Sequence, residues 1–335
     1  MTSIALGFAL LLASAVAIYL ACEYFTNGVE WVGRRLSVGD TATGTVLAAL
    51  GTALPETAIT FVAVALGVNA AQRDLGVGAA LGGPLVLATI AYSVVGIGLF
   101  ASRQPLARTA IVREQFKRLS RDQGWFLAIF VCKIGLGLVT FAVKPWLGVL
   151  FLAAYGLYFW REMRGDEPEV EALEPEPLKF APGKPPPSTS LAIFQTLLAL
   201  TVMFVASRFF VFQLDHLGPA LGLKPQLLAL LLSPVATELP ETMNAVIWVR
   251  QGKHRLALAN ISGAMMIQAT VPTAFGLFYT PWRLDHALIL AAAITTVAVG
   301  VMFLAFRRGV VSRGLLAAMG GLYALFVCLL IAMHL

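Results

Sequence analysis

Two short stretches of the sequence place a proline directly before a glutamate inside long apolar runs. They are LGTALPETA at 50–58 and PVATELPETMNA at 234–245, and both follow the pattern TxLPET. An ionised carboxylate at the centre of a bilayer costs at least about 2.5 kcal/mol unless a partner or a cation neutralises it. Glu56 and Glu241 are therefore candidate cation ligands, and a purely structural use as buried polar groups is the weaker interpretation.

The two prolines predict further oxygen ligands beside these carboxylates. A proline inside a helix offers no N–H to the carbonyl four residues earlier. Pro55 therefore frees the carbonyl of Gly51, and Pro240 frees that of Ala236. The same disturbed turns carry two hydroxyl groups, those of Thr52 and Thr237.

Carboxylate, carbonyl and hydroxyl oxygens together favour a hard cation. Calcium accepts about six to eight oxygens in a flexible geometry, whereas magnesium demands a tighter octahedron and retains water. No His or Cys joins these residues, which argues against zinc and copper. We therefore expect Glu56 and Glu241 to be metal ligands for a transported calcium ion, with no resident cofactor.

The composition indicates a protein that crosses a membrane many times. Hydrophobic residues make up 59% of the 335 residues, charged residues only 13%, and the mean hydropathy is +0.82. Apolar runs recur near the length of about 20 residues that a spanning helix needs, which predicts an all-α integral membrane protein. The ten predicted helices lie at about 3–24, 41–67, 75–100, 124–141, 145–162, 190–210, 226–249, 256–279, 285–305 and 314–333.

The charges between the predicted helices set their orientation. Of the 24 lysines and arginines, 18 fall in one set of loops and five in the other, and Lys133 is left inside the fourth helix. Because basic residues concentrate in cytoplasmic loops, both termini are expected on the extracytoplasmic side of a plasma or inner membrane. The net charge of +6 is thus explained by the basic cytoplasmic loops and indicates the orientation of the helices. The expected partners are inorganic cations and the lipid bilayer, not nucleic acid.

Two loops stand apart from the others. The segment 164–188 is rich in Glu and Pro and is predicted to be an extended or disordered cytoplasmic linker, although a regulatory cation site is an alternative. It divides the chain into a first five-helix unit at 1–163 and a second at 189–335. The segment 109–123 interleaves apolar and basic residues, which is typical either of an interfacial amphipathic helix touching anionic lipid or of an ordinary basic loop.

The two TxLPET stretches belong to an internal repeat. An offset of 185 residues pairs both prolines and both glutamates, and it also pairs Phe25 with Phe210, Leu36 with Leu221 and Gly78 with Gly263. Each half holds five spans, an odd number, so the second half enters the membrane in the opposite sense. Inverted repeats of this kind build one central site with alternating access in secondary transporters.

The stretches ALGTALPETAITFV and ACEYFTNGVEWVGRRLSVGDTATGTVLAAL resemble the first α-repeat of the cation/calcium exchanger family. SPVATELPETMNAV, followed by LALANISGAMMIQATVP, resembles the second α-repeat. The resemblance implies a ten-helix inverted fold and a sodium/calcium or proton/calcium antiporter. It also implies that the repeat glutamates bind calcium together with backbone oxygen of the preceding turn, which carries over onto Glu56, Glu241, Thr52 and Thr237.

This sequence departs from the family pattern at four positions. The serine of the family motif is replaced by Ala53 and Glu238, and residues that are usually Asn or Asp are replaced by Gly83 and Gln268. Glu238 either faces the same cavity or points outward as a neutralised acid, and Gln268 is either a ligand or an interhelical hydrogen-bonding residue. Four glycines give the third helix a small-residue face for close helix contact, at positions 76, 78, 82 and 83.

The functional prediction is a secondary-active antiporter that exchanges calcium or a similar divalent cation for protons or sodium. Its site near the midplane would be reached alternately from the two sides. The alternative is a membrane receptor or scaffold that keeps the fold and binds calcium without flux. An intramembrane enzyme has little support, because the sequence contains no HExxH or GxSxG motif.

Overall fold

The structure, a computed structural model, describes residues 2–35, 48–102, 110–164, 176–183 and 187–334. All regular secondary structure within these residues is helical. Within these residues, six continuous helical stretches are long and apolar enough to cross a membrane. The prediction of an all-α integral membrane protein is confirmed.

The described residues of the first half form six α-helices. They are α1 (Thr2–Arg35), α2 (Ala48–Ala65), α3 (Ala70–Val86), α4 (Tyr92–Ala101), α5 (Ala110–Leu138) and α6 (Gly148–Arg164). A π-helical turn, Leu87–Ala91, joins α3 to α4 without a break, and a 3-10 turn, Lys144–Leu147, precedes α6. The side chain of Asn69 caps α3 by accepting a hydrogen bond from the backbone N–H of Gln72, which satisfies one of the free donors at that end.

The second half also contains six. They are α7 (Thr189–Leu221), α8 (Pro225–Thr237), α9 (Leu239–Arg250), α10 (His254–Tyr279), α11 (His286–Arg308) and α12 (Arg313–His334). Ser188 and Asp285 cap the starts of α7 and α11. Both helices end at a glycine with positive φ, Gly222 and Gly309, which is the usual way for a chain to leave a helix.

Counting α3 with α4 and α8 with α9 as single spans gives ten spans, in the predicted order. Several predicted boundaries differ from the observed ones. The segment 109–123 is not a separate helix, because residues 110–123 form the first part of α5. The predicted seventh helix, 226–249, divides at Glu238. The predicted second helix, 41–67, begins in the described chain at Ala48, and its residues 41–47 lie outside the described residues.

Neighbouring helices pair as the repeat requires. The contact of α2 with α10 is matched by that of α3 with α8, and the contact of α4 with α12 by that of α6 with α10. Two other contacts, α1 with α7 and α5 with α11, join each helix to its own counterpart. A twofold exchange of the halves therefore leaves these pairings unchanged.

The glycines of α3 allow its main chain to touch that of α8. A Cβ atom on Gly78 would overlap the carbonyl oxygen of Gln226, and one on Gly82 would lie 2.7 Å from the carbonyl oxygen of Leu230. Close helix contact without side chains between the backbones is what small residues provide in membranes. The prediction of a small-residue contact face is confirmed at these positions.

Part of the linker lies against α1 and α7 instead of extending into solvent. Asn27 donates from Nδ2 to the carbonyl of Glu176 at 3.1 Å, and its Oδ1 accepts from the backbone N–H of Lys179 at 3.0 Å. Lys179 forms an ion pair with Glu23 at 3.0 Å, and Leu178 is buried. Disorder is therefore excluded for 176–183, and the use of the segment as a cytoplasmic linker stays a prediction. Residues 165–175 and 184–186 lie outside the described residues.

Candidate cation site

The two TxLPET segments have different backbones. The helix α2 runs without interruption through Pro55, and Glu56 is buried in it. In the second copy α8 ends at Thr237 and α9 begins at Leu239, so Glu238 forms the break. Glu241 is buried in the first turn of α9, where the N-terminal end of a helix favours negative charge.

The carbonyl of Gly51, which Pro55 was expected to leave without a partner, accepts a weak hydrogen bond from a thiol. Cys22 of α1 donates from Sγ to the carbonyl oxygen of Gly51 at 3.5 Å. Cys22 was not predicted to belong to the site. The repeat offered a signal, because the offset of 185 residues pairs Cys22 with Ser207, which is also a small polar residue. Ser207 and Ala236 are both buried in the second half.

Glu238 faces inward, which decides between the two alternatives for its position. Its side chain is 2% exposed, and it accepts hydrogen bonds from Thr237 Oγ1 at 2.6 Å and from Gln268 Nε2 at 2.9 Å. Gln268 therefore makes an interhelical hydrogen bond from α10 to the break between α8 and α9. Its other side-chain atom, Oε1, is buried and has no hydrogen-bond partner among the described residues, so it stays available to a cation.

The carboxylates of Glu56 and Glu238 meet at Gly83 of α3. A Cβ atom on Gly83 would overlap Glu56 Oε2 and would lie 2.9 Å from Glu238 Oε1. The space left by the missing side chain is thus occupied by one carboxylate from each repeat. Any residue larger than glycine at position 83 would have to displace one of them.

The Glu56 carboxylate is buried with neither oxygen hydrogen-bonded to a described residue. The charged side chains whose fields reach it are Glu238 and Lys133. A buried carboxylate that lacks donors must be neutralised by a cation or a proton, because desolvation otherwise costs several kcal/mol. The Glu238 carboxylate beside it adds a second negative charge, so neutralisation is needed even more.

The described residues contain no group of three or more His, Cys, Asp or Glu side chains arranged to hold a metal ion. A cation bound beside Gly83 would therefore use two carboxylates together with amide, hydroxyl and main-chain oxygens. Glu241 lies near enough to act electrostatically on Cys22. Its joint use with Glu56 as a metal ligand stays a prediction. Thr52 lies in α2, but its side chain is outside the described part of the structure. Pro55 and Pro240 are both described and buried.

Lys133 is a further residue that the sequence left without a role. It is fully buried in α5, and its ammonium group contacts α3 and α10, two helices that carry site residues. The available signal was its position in the middle of a predicted span, far from both ends.

Comparison with known proteins identifies the family. The profile of the family described as "Sodium/calcium exchanger protein" matches residues 6–163 and 191–332. The "Putative antiporter CaxA" of Alkalimonas amylolytica is 24% identical over 285 residues, covering 82% of both chains. "Inner membrane protein YrbG" of Escherichia coli (strain K12) is 25% identical over 289 residues, covering 84% of this chain and 82% of that protein.

Solved structures share the fold. The crystal structure of the H+/Ca2+ exchanger CAX superposes with a TM-score of 0.68 at 16% identity, covering 97% of this chain and 88% of that one. A structure of the sodium-calcium exchanger NCX_Mj superposes with a TM-score of 0.61 at 16% identity, covering 97% and 99%. With the family profile spanning nearly the whole of both halves, the chain belongs to the sodium/calcium exchanger protein family, a family of membrane transporters.

Proposed function

We propose that this protein exchanges calcium, or a similar divalent cation, for protons by alternating access to a site formed by Glu56, Glu238 and Glu241. The observation that carries this proposal is the meeting of Glu56 and Glu238 at Gly83. One divalent ion neutralises two adjacent carboxylates at once. Protons neutralise the same two groups one by one and need no further ligands.

Sodium fits this site less well than protons do. A sodium ion needs its own set of oxygen ligands, and two side-chain oxygens of the family pattern are absent because positions 53 and 83 are Ala and Gly. The space at position 83 is taken by carboxylates instead. The fold itself is compatible with either counter-ion, because the two similar structures are those of an H+/Ca2+ exchanger and a sodium-calcium exchanger.

The packing supports a moving pair formed by α1 and α7. Buried apolar side chains of the described residues form two clusters. One joins α1 and α7 to α2, α3 and α8, and the other contains no residue of α1 or α7. Sliding of α1 and α7 against the rest would open the carboxylates first to one side and then to the other. In this mechanism both termini lie on the extracytoplasmic side of a plasma or inner membrane, and the two five-helix units are 1–163 and 189–335.

The test is transport by the purified protein in sealed vesicles. Calcium uptake is measured with a trapped indicator under an imposed proton gradient and then under a sodium gradient. We expect uptake with the proton gradient, none above background with the sodium gradient, and loss of uptake in Glu56→Gln. Glu23→Gln is the matched control, because Glu23 is a carboxylate of α1 that pairs with the linker.

Each outcome has a defined meaning. No calcium uptake under either gradient contradicts the antiport proposal, and uptake driven by sodium alone contradicts the choice of protons. Uptake by Glu56→Gln at the level of the wild type removes Glu56 from the site. A loss in Glu23→Gln equal to that in Glu56→Gln would mean that the effect of the glutamine substitution is not specific to the site.

A further inference from the structure

Lys133 is bound to two carbonyl groups that share an unusual property. Its Nζ atom donates to the carbonyl oxygen of Ala80 in α3 at 2.7 Å and to that of Gln268 in α10 at 3.4 Å. Pro84 follows Ala80 by four residues and Pro272 follows Gln268 by four, and both prolines lie inside their helices. Since a proline has no N–H, neither carbonyl has its normal partner in the helix.

The chain therefore contains a second pair of proline-freed carbonyls, one in each repeat. The first pair, at Gly51 and Ala236, comes from the prolines of the TxLPET segments. The second pair faces a common point between α3 and α10, and the ammonium group of Lys133 occupies that point. Main-chain carbonyl oxygens without partners are the ligands with which membrane proteins bind dehydrated monovalent cations.

Aromatic rings complete the surroundings of the ammonium group. Lys133 Nζ lies 5.3 Å from the ring centroid of Phe130 and 5.9 Å from that of Trp282, within the range of cation–π attraction. Trp282 is fully buried and donates from Nε1 to the backbone carbonyl of Lys133 at 3.1 Å. It adopts a φ of 46°, in the left-handed region that bulky side chains avoid. Strain of this kind persists only where surrounding contacts hold it.

Gln268 links Lys133 to the carboxylate of Glu238. Gln268 accepts from Lys133 at its main-chain oxygen and donates from Nε2 to Glu238. Lys133 also acts electrostatically on Glu56. The three glutamates Glu56, Glu238 and Glu241, together with Lys133, carry a formal charge of −2 that a single divalent ion balances. Relative to a site with only Glu56 and Glu241, Glu238 adds one negative charge and Lys133 adds one positive charge.

We propose that the ammonium group of Lys133 is a tethered monovalent cation, held on the carbonyls of Ala80 and Gln268 where a free sodium or potassium ion would otherwise bind. The protein consequently has no need of a bound alkali cation to balance Glu238. This inference rests on the proposed exchange of calcium for protons, for which it supplies a reason why sodium takes no part.

Removal of the ammonium group tests the proposal. In Lys133→Ala the two carbonyls face an open space, and sodium or potassium should bind there. Thermal unfolding of the purified protein is followed in choline chloride and in 100 mM sodium or potassium chloride at constant ionic strength. We expect a rise of several degrees in the Tm of Lys133→Ala with an alkali cation, because a ligand that binds only the folded state stabilises it. The Tm of the wild type should not respond.

Lys144→Ala is the matched control. The amine of Lys144 is likewise bonded to main-chain carbonyls, those of Val139, Pro281 and Trp282, but it lies in the turn between α5 and α6. Its removal should produce no response to alkali cations, because these three carbonyls lie outside the helices, in segments that can rearrange to other donors. Lys133→Arg, which keeps a positive charge, should also give no response.

Calcium uptake by the same variants separates this inference from the proposed function. Uptake by Lys133→Ala under a proton gradient should be low in choline and should rise several-fold with equal sodium on both sides of the vesicle. If the wild type moves no calcium at all, the proposed function fails, while the Tm measurement still decides the inference.

Two results would overturn the inference. One is a folded Lys133→Ala whose Tm and uptake are unaffected by sodium and potassium. The other is that Lys133→Ala and the longer neutral variant Lys133→Met are both unfolded in every salt while Lys133→Arg folds. The lysine would then serve only to hold α3, α5 and α10 together.

Discussion

The two copies of the TxLPET segment share a sequence pattern but differ in backbone and in surroundings. In the first copy a continuous helix carries Glu56, and the facing residue of α3 is Gly83. In the second the helix is broken at Glu238, and the equivalent residue of α10 is Gln268. The first copy has thus lost polar side chains, whereas the second has gained a carboxylate.

The difference shows that the halves compensate for each other. The carboxylate gained in the second half fills the space left at Gly83 in the first half, and Gln268 holds it there. The site is therefore asymmetric although the packing of the helices is symmetric. The predictions below test this compensation.

The largest effect is expected when either repeat glutamate loses its charge. Glu241→Gln should weaken calcium binding by about 100-fold or more, as should Glu56→Gln, because a divalent ion then faces one carboxylate fewer in a site without bulk water. Calorimetric titration of the purified protein with calcium measures this. A change of less than about threefold in Glu241→Gln would show that only Glu56 and Glu238 hold the ion.

A methyl group at Gly83 should have the next largest effect. In Gly83→Ala the new Cβ overlaps the Glu56 carboxylate and presses on that of Glu238, and calcium affinity should fall by about tenfold. Gly300→Ala is the control, since a Cβ there meets nothing within 4 Å.

The combined variant Gly83→Ala with Glu238→Ser tests whether the two positions are coupled. Removing the Glu238 carboxylate relieves part of the crowding, so the double variant should bind calcium better than the sum of the single effects implies, by about 1 kcal/mol. Strict additivity of the two single changes would contradict the compensation.

Replacement of Glu238 by Gln should alter the coupling to protons. The site then has one group fewer that exchanges a proton for calcium, so about one proton fewer should be released per calcium bound. A pH electrode in weakly buffered protein solution records the release on addition of calcium. Unchanged proton release would place Glu238 outside the exchange reaction.

The smallest effect is expected at Cys22. A thiol is a weak donor, so Cys22→Ala should change calcium affinity by less than about threefold, in the direction of tighter binding if the Gly51 carbonyl becomes a better ligand. Cys22→Ser, which copies Ser207 of the other half, should weaken binding slightly because a hydroxyl donates more strongly. Effects in the opposite order would remove the Gly51 carbonyl from the site.

Local sequence rules found the parts of the site that depend on one helix. The i to i−4 rule for proline located the Gly51 carbonyl, and the cost of intramembrane charge selected Glu56, Glu238 and Glu241. The same proline rule applied to Pro84 and Pro272 would have located the carbonyls that bind Lys133. It could not show that both face the same lysine, because the three residues lie in three different helices.

The sequence alone determined the helical membrane fold, the internal repeat and the identity of the charged residues within the bilayer, since hydropathy and periodicity are properties of single segments. The tertiary structure decided which of those residues meet. Glu56 and Glu238 converge because glycines bring α3 onto α8, and Lys133 reaches Ala80 and Gln268 across 53 and 135 residues of chain. Such contacts depend on how closely helix backbones approach, which is set by the packing of all helices together.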